Sequence, residues 1–283
     1  MMQSQHEKDI IKAMKSFQRF GLYDVFSDFV EWGTLSIRQA IDFRNQETIL
    51  KNLDRLQKKY TPQETQRMGE MFAMLVLAME EYLQNGYYTD ILSRIFMELE
   101  IQNKQAGQFF TPESVARMTA RMTFDTERTK RIIEEEGHIL LNEPAVGGGI
   151  MVLCFAEAMR AAGFNPSKEL VVYAGDIDMR CACMSYLHFS LYGLPAVIDY
   201  GNTLTLDYWQ RWYSPVYVFD LWTFRDKMRR GKGGGRDGTV DGTADRGRTD
   251  ADAVRAGNPP QKEKAAGSGA FDEVQQLSLF DMS

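Results

Sequence analysis

The chain has 283 residues, 44% of them hydrophobic, and a formal net charge of -6, which is enough apolar material for one large or two modest cores. The acidic balance excludes a generic polyanion binder, so contact with nucleic acid needs a local basic patch or a partner. Three histidines and three cysteines at no metal-ligand spacing, a polar Met1–Asp9 and an apolar stretch (Met71 to Met79) too short to span a bilayer lead us to expect a cytoplasmic protein with no metal and no membrane contact. Residues 1–106 read as a helical N-terminal domain. Apolar residues recur at helical spacing in Ile10, Ile11, Met14 and Phe17, and again in Phe26, Phe29, Val30 and Trp32. A charged helix follows over Glu47–Lys59 and stops at Thr61-Pro62; Pro62 opens the next, which closes at Asn85-Gly86. Asp90–Ile101 is one more.

From residue 107 to 228 the pattern alternates. Thr111 is placed to cap a helix beginning at Pro112 and running to Met122. Short apolar strands are predicted at Ile139–Leu141, Leu170–Ala174, Ala196–Tyr200 and Val216–Leu221, with helices at Met151–Ala162 and Met179–Tyr192 between the first three. This alternation predicts an α/β fold whose parallel sheet is covered on both faces. Cys181 and Cys183 point to different faces of their helix, which argues against a shared metal; with Cys154 they read as reduced, packed apolar residues. Residues 229–270, rich in Gly, Asp, Arg and Thr, bury too little to offset their ordering entropy and are expected to be disordered. Apolar character returns in residues 271–283.

Four blocks carry chemistry. Gly107-Gln108-Phe109-Phe110-Thr111-Pro112-Glu113 comes first. About 30 residues later, Asn142-Glu143-Pro144-Ala145-Val146-Gly147-Gly148-Gly149 joins a strand to a helix through a glycine turn, which brings backbone N–H groups close to a ligand. Then come Tyr173-Ala174-Gly175-Asp176-Ile177-Asp178 and Gly201-Asn202-Thr203-Leu204. In this order the blocks resemble the modification subunits of type I restriction systems and related adenine-specific DNA methyltransferases. The resemblance covers roughly Asp90 to Leu204 and implies a Rossmann-like core that binds S-adenosylmethionine, a DNA substrate and partner subunits.

What it implies for residues is specific. Phe110 and Thr111 would touch the methionine end of the cofactor, against the alternatives of a core aromatic and a helix cap. Glu143, where the family usually has Asp, keeps a carboxylate beside Pro144, Ala145, Gly147 and Gly149 of the turn. Asp176, at a strand's C-terminal end, would take the ribose hydroxyls with Ile177 beside it, the alternative being that Asp176 and Asp178 cap a helix. Asn202 corresponds to a position contacting the adenine, or else is a turn residue. Two departures stand out: Gly148 where the family often has Ser, and Ile150 where it often has Gly.

Catalytic residues are missing. The family places Asn-Pro-Pro-(Tyr/Phe) directly after its fourth strand, to align the adenine amine with the methyl group. Here Val216–Leu221 is followed by Trp222-Thr223-Phe224-Arg225, and the string Asn258-Pro259-Pro260-Gln261 follows no predicted strand and ends in Gln. We therefore expect a shortened relative, with catalysis absent or dependent on a partner. The competing reading is a non-catalytic adaptor. Gln276-Leu277-Ser278-Leu279-Phe280 resembles the short motif that docks on the replication sliding clamp, with Gln276, Leu277, Leu279 and Phe280 as contacts. Docking of that segment on the chain's own domain is the open alternative.

Overall fold

The computed structural model describes residues 3–100, 110–222 and 277–278. Five helices come first: α1 (Gln5–Met14), α2 (Leu22–Gln39), α3 (Gln46–Lys59) after a single 3-10 turn at Phe43–Asn45, α4 (Pro62–Gln84) and α5 (Ile91–Glu100). The starts of α1 and α4 are written locally. Ser4 with Glu7, and Thr61 with Glu64, each form a reciprocal capping box, and Pro62 occupies the first turn of α4, where a missing N–H costs nothing.

The second part contains α6 (Glu113–Thr123), α7 (Thr126–Glu136), β1 (Ile139–Glu143), α8 (Ile150–Ala161), the short α9 (Pro166–Glu169), β2 (Leu170–Asp176), α10 (Met179–Leu191), β3 (Ala196–Asn202), β4 (Asp207–Tyr213) and α11 (Pro215–Phe219). A two-residue β5, Leu277–Ser278, completes a sheet of order β4-β3-β2-β1-β5. Strands β1, β2 and β3 are mutually parallel, with Ile139 opposite Leu170 and Val172 opposite Ala196. The connections through α8 and α10 step the same way across the sheet, so right-handed crossovers put both helices on one face. Their side chains Val152, Phe155, Leu187 and Phe189 share one hydrophobic cluster with Leu141, Val172 and Ile198 of that face.

The helices before residue 101 join the same cluster through Ile10, Phe26, Phe29, Met71 and Phe96. Each fully buried side chain of this size contributes about 1.5–3 kcal/mol of transfer free energy. Helix α2 reaches α10 at Gly33, where an added Cβ would meet Phe72 and Leu187 at 3.2 and 3.3 Å. Thr34 there donates to the carbonyl of Cys183 at 3.3 Å, and the Thr89 N–H donates to the Tyr192 hydroxyl at 3.0 Å. On the opposite face, Val171 and Val197 pack against Tyr217 and Trp222.

Three expectations need correction. The sheet is mixed, because β4 runs antiparallel to β3, from Asn202 opposite Asp207 to Val197 opposite Tyr213. The strand expected at Val216–Leu221 is instead helix α11: Ser214 accepts the Tyr217 N–H at 3.4 Å and Pro215 sits in the first turn, a strong local start signal that outweighs the β-branched and aromatic content. The strand role passes to Asp207–Tyr213, whose aromatic-rich sequence suits a pleated, half-exposed edge. Finally, Thr111 caps nothing. Pro112 is the N-cap of α6, without a side-chain hydrogen bond, and Thr111 is exposed. Helix α7 had no strong apolar period to announce it, although Asp125 caps its start and Gly137 in the left-handed region ends it.

The linker 229–270 and the motif residues Gln276, Leu279 and Phe280 lie outside the described residues. Leu277 and Ser278 pair in parallel with Leu141 and Asn142 on the edge of β1. Among the described residues no helix is long and apolar enough to cross a membrane, and no group of three or more His, Cys, Asp or Glu is placed to hold a metal.

Candidate cofactor site

The C-terminal ends of β1, β2 and β3 lie side by side, and the loops that follow them converge. After β1 the chain turns sharply through Gly147 (φ 53°) and Gly149 (φ 98°), conformations glycine adopts without strain. The Val146 N–H donates to Gly175 O at 2.9 Å, and the Gly149 N–H returns to Val146 O at 2.8 Å, so the turn is tied to β2 before α8 begins. Gly149 has no room for a side chain, since an added Cβ would fall 2.8 Å from the Phe189 ring. The next loop locks on from the other side. The Thr203 hydroxyl donates to Pro144 O at 2.8 Å, and its methyl group packs over Gly175 so closely that a Cβ there would meet it at 2.5 Å.

Asp176 sits at the centre. Its Oδ2 accepts the Gly147 N–H at 2.9 Å and its Oδ1 accepts the Asp178 N–H at 2.9 Å. Asp178, not Asp176, caps α10, accepting the Arg180 N–H at 2.8 Å. Asp176 is thus committed to the turn, and as a carboxylate it keeps lone pairs for further hydrogen bonds. Burial pushes its carboxyl above the ordinary range, opposed by the backbone N–H groups it accepts. Ile177 beside it is 58% exposed, an apolar side chain left at the mouth. Asn202 uses its side-chain oxygen within its own loop, accepting the Leu204 N–H at 3.0 Å and the Thr205 N–H at 3.3 Å; its amide N–H₂ is the part available to a ligand. The Phe110 ring covers Gly147, 3.5 Å from where a Cβ would lie, and meets Phe96 edge-on at 5.7 Å. Pro144 and Ala145 are exposed beside it.

The turn is also supported from α10 and α5. His188, fully buried, donates from Nδ1 to Gly148 O at 2.8 Å. Its Nε2 accepts the Leu92 N–H at 3.3 Å, which fixes the neutral tautomer, and burial lowers its pKa accordingly. Asp90, 4% exposed, accepts the Ser93 N–H at 2.9 Å at the start of α5 and stands 3.7 Å from His188 Nε2. Sequence reasoning missed Asp90, Ser93 and His188 as supports of this turn, because nothing in linear spacing ties it to α5, over fifty residues earlier, or to α10, forty residues later.

Residues 86–220 match the family model for N-6 DNA methylase. The match covers just under half of the chain and spans all the converging loops, and it shows that this segment resembles N6-adenine DNA methyltransferases. No curated protein and no solved structure matches the chain.

In this methylase-like segment Glu143 carries a measurable signature. It is 6% exposed and, among the described residues, accepts one long N–H bond, from Ala145 at 3.4 Å. Burial, with Asp176 adding to it, holds its carboxyl above the ordinary value of 4.5. A raised folded pKa contributes stability that is fully present below the unfolded pKa and is lost as pH rises through the folded one. Glu143→Gln, which cannot ionise and keeps the acceptor oxygen, is therefore expected to melt higher than wild type at pH 7–8, the gain disappearing below about pH 4. Thermal melts across that range check this; a wild type more stable than the variant at pH 8 would mean the charge is compensated.

Proposed function

We propose that the crevice at the ends of β1, β2 and β3 binds S-adenosylmethionine in a Rossmann-like methyltransferase core. The observation that carries this reading is the Asp176 carboxylate joined to the Gly147 N–H at the centre of a glycine turn, with Ile177 exposed at its side. The residues suit such a ligand. Asp176 can accept hydrogen bonds from ribose hydroxyls, Ile177 offers an apolar surface to the adenine, Asn202 an amide donor, and Phe110, Thr111 and the turn backbone close the methionine end. When bound, the cofactor supplies an electrophilic methyl group. The chain's residues orient it and shield part of it from water. Glu143, Pro144, Ala145 and Gly149 shape the turn that does so.

The DNA methyltransferase-like segment points to adenine modification of DNA as the setting, resembling the modification subunit of a restriction system, in the cytoplasm, with the base-orienting residues supplied by a partner subunit. Calorimetric titration with S-adenosylmethionine tests the premise. Saturable binding is expected; no heat at millimolar cofactor would defeat it.

The pairing of Leu277 and Ser278 with β1 bears on the sliding-clamp reading. Two parallel pairs close a loop of more than fifty residues, a small gain against a loop entropy of several kcal/mol. A segment held so weakly is free to exchange into a partner's groove. A peptide of residues 271–283 is expected to bind the clamp at micromolar concentration and to lose binding with Leu279→Ala and Phe280→Ala together. Failure to bind at tens of micromolar would leave the cis pairing as the segment's only role.

A further inference from the structure

Gly148 stands where the resembled family often carries Ser, yet the space its side chain would fill is occupied. An added Cβ would fall on Ser93 Oγ and against both oxygens of Asp90, Oδ1 at 2.7 Å, closer than real Cβ atoms approach other groups. Asp90 immediately precedes α5 and Ser93 lies in its first turn, far away in sequence. Ser93 is 2% exposed, and its hydroxyl has no hydrogen-bond partner among the described residues. A buried, unpaired hydroxyl is costly and calls for a reason.

We propose that Ser93 is a positioning residue of the cofactor turn: it delivers from α5 the hydroxyl that a serine at 148 would otherwise carry, and the turn has traded its own side chain for one from the helical part. The proposal rests on the cofactor reading only for its ligand half. The geometry supports the exchange independently. Gly148 O is held by His188, His188 is held by the N–H of Leu92, and Asp90 accepts the Ser93 N–H, so α5 and the turn are fastened in one register. In that register a serine at 148 collides with the Ser93 hydroxyl, and it also requires the Asp90 carboxylate to turn aside, since an added Cβ would lie against both of its oxygens, 2.7 Å from Oδ1. The Asp90 carboxylate at the same spot is the natural acceptor for whichever hydroxyl is present, once that side chain rotates.

The test is a four-protein cycle: wild type, Gly148→Ser, Ser93→Gly, and the double exchange. Each is melted without ligand and titrated with S-adenosylmethionine. Gly148→Ser alone is expected to lower the melting temperature by several degrees and to weaken the cofactor at least tenfold, because the turn must move off α5. Ser93→Gly alone is expected to lose a smaller part of the affinity while staying folded. The double exchange, in which only the Asp90 carboxylate must still turn aside, is expected to recover part of the melting temperature lost by Gly148→Ser and to bind more tightly than that variant. A Gly148→Ser protein as stable as wild type, or a double exchange no better than Gly148→Ser, overturns the proposal. So does a failure of Ser93→Ala to relieve Gly148→Ser as far as glycine does, since alanine too removes the crowding Oγ. A wild type that ignores the cofactor defeats the cofactor reading instead, and the ligand-free melts still decide the exchange.

Discussion

Asp176→Ala is expected to weaken S-adenosylmethionine binding by about 1.5–3 kcal/mol, roughly ten- to hundredfold. Two losses combine. The ribose hydroxyls lose a charged acceptor, and the Gly147 and Asp178 N–H groups, now bonded to the carboxylate at 2.9 Å each, lose their partner. The second loss alone would loosen the turn, so the melting temperature of the variant must be read with its affinity. Asp176→Asn separates them, since one oxygen is kept for one N–H while the new N–H₂ opposes the other. It should stay folded and bind between the alanine variant and wild type. Asp176→Ala binding as tightly as wild type, by calorimetry, would remove Asp176 from the site.

The purified chain alone is expected not to methylate adenine in DNA. Orienting the reacting amine against the methyl group is worth as much as ~7–11 kcal/mol in such transfers, and the residues that do this are missing from the segment expected to hold them. The structure adds a geometric reason. Because β4 reverses direction, the chain leaves the ligand end of the sheet at Asn202 and Asp207 and returns to the opposite end at Val197 and Tyr213. Ser214 there bonds the Ala196 N–H and Leu194 O, at the start of β3. Asp220 and Trp222 follow at that far end. Trp222 is 1% exposed and packs edge-on against His138, just before β1, so it presents no open face to a flipped base. Incorporation of labelled methyl groups into adenine, lost on Asp176→Ala, would show that a catalytic block exists elsewhere in this chain. Activity appearing only when a partner subunit is added is the outcome we expect.

Sequence by itself determined most of the helices and the three parallel strands. Period and capping residues placed α3, α4, α8, α10 and the three parallel strands within a few residues, because each carries its own start and stop chemistry: Pro62 and Asn85-Gly86 around α4, Asp178 before α10, short apolar runs for β1 to β3. The spacing of Gly147 and Asp176 likewise follows from a strand-helix-strand unit, and the two do meet at 2.9 Å. What the tertiary structure decided is whatever depends on neighbours far along the chain. The direction of β4, and with it the distance of Asp220 and Trp222 from the crevice, is set by edge pairing with β3, which no local pattern specifies. The filling of the Gly148 side-chain space by Ser93 and Asp90, and the fixing of that turn by His188, arise only when α5 packs against α10; a glycine in a sequence shows the freedom it has, but not what has taken its place.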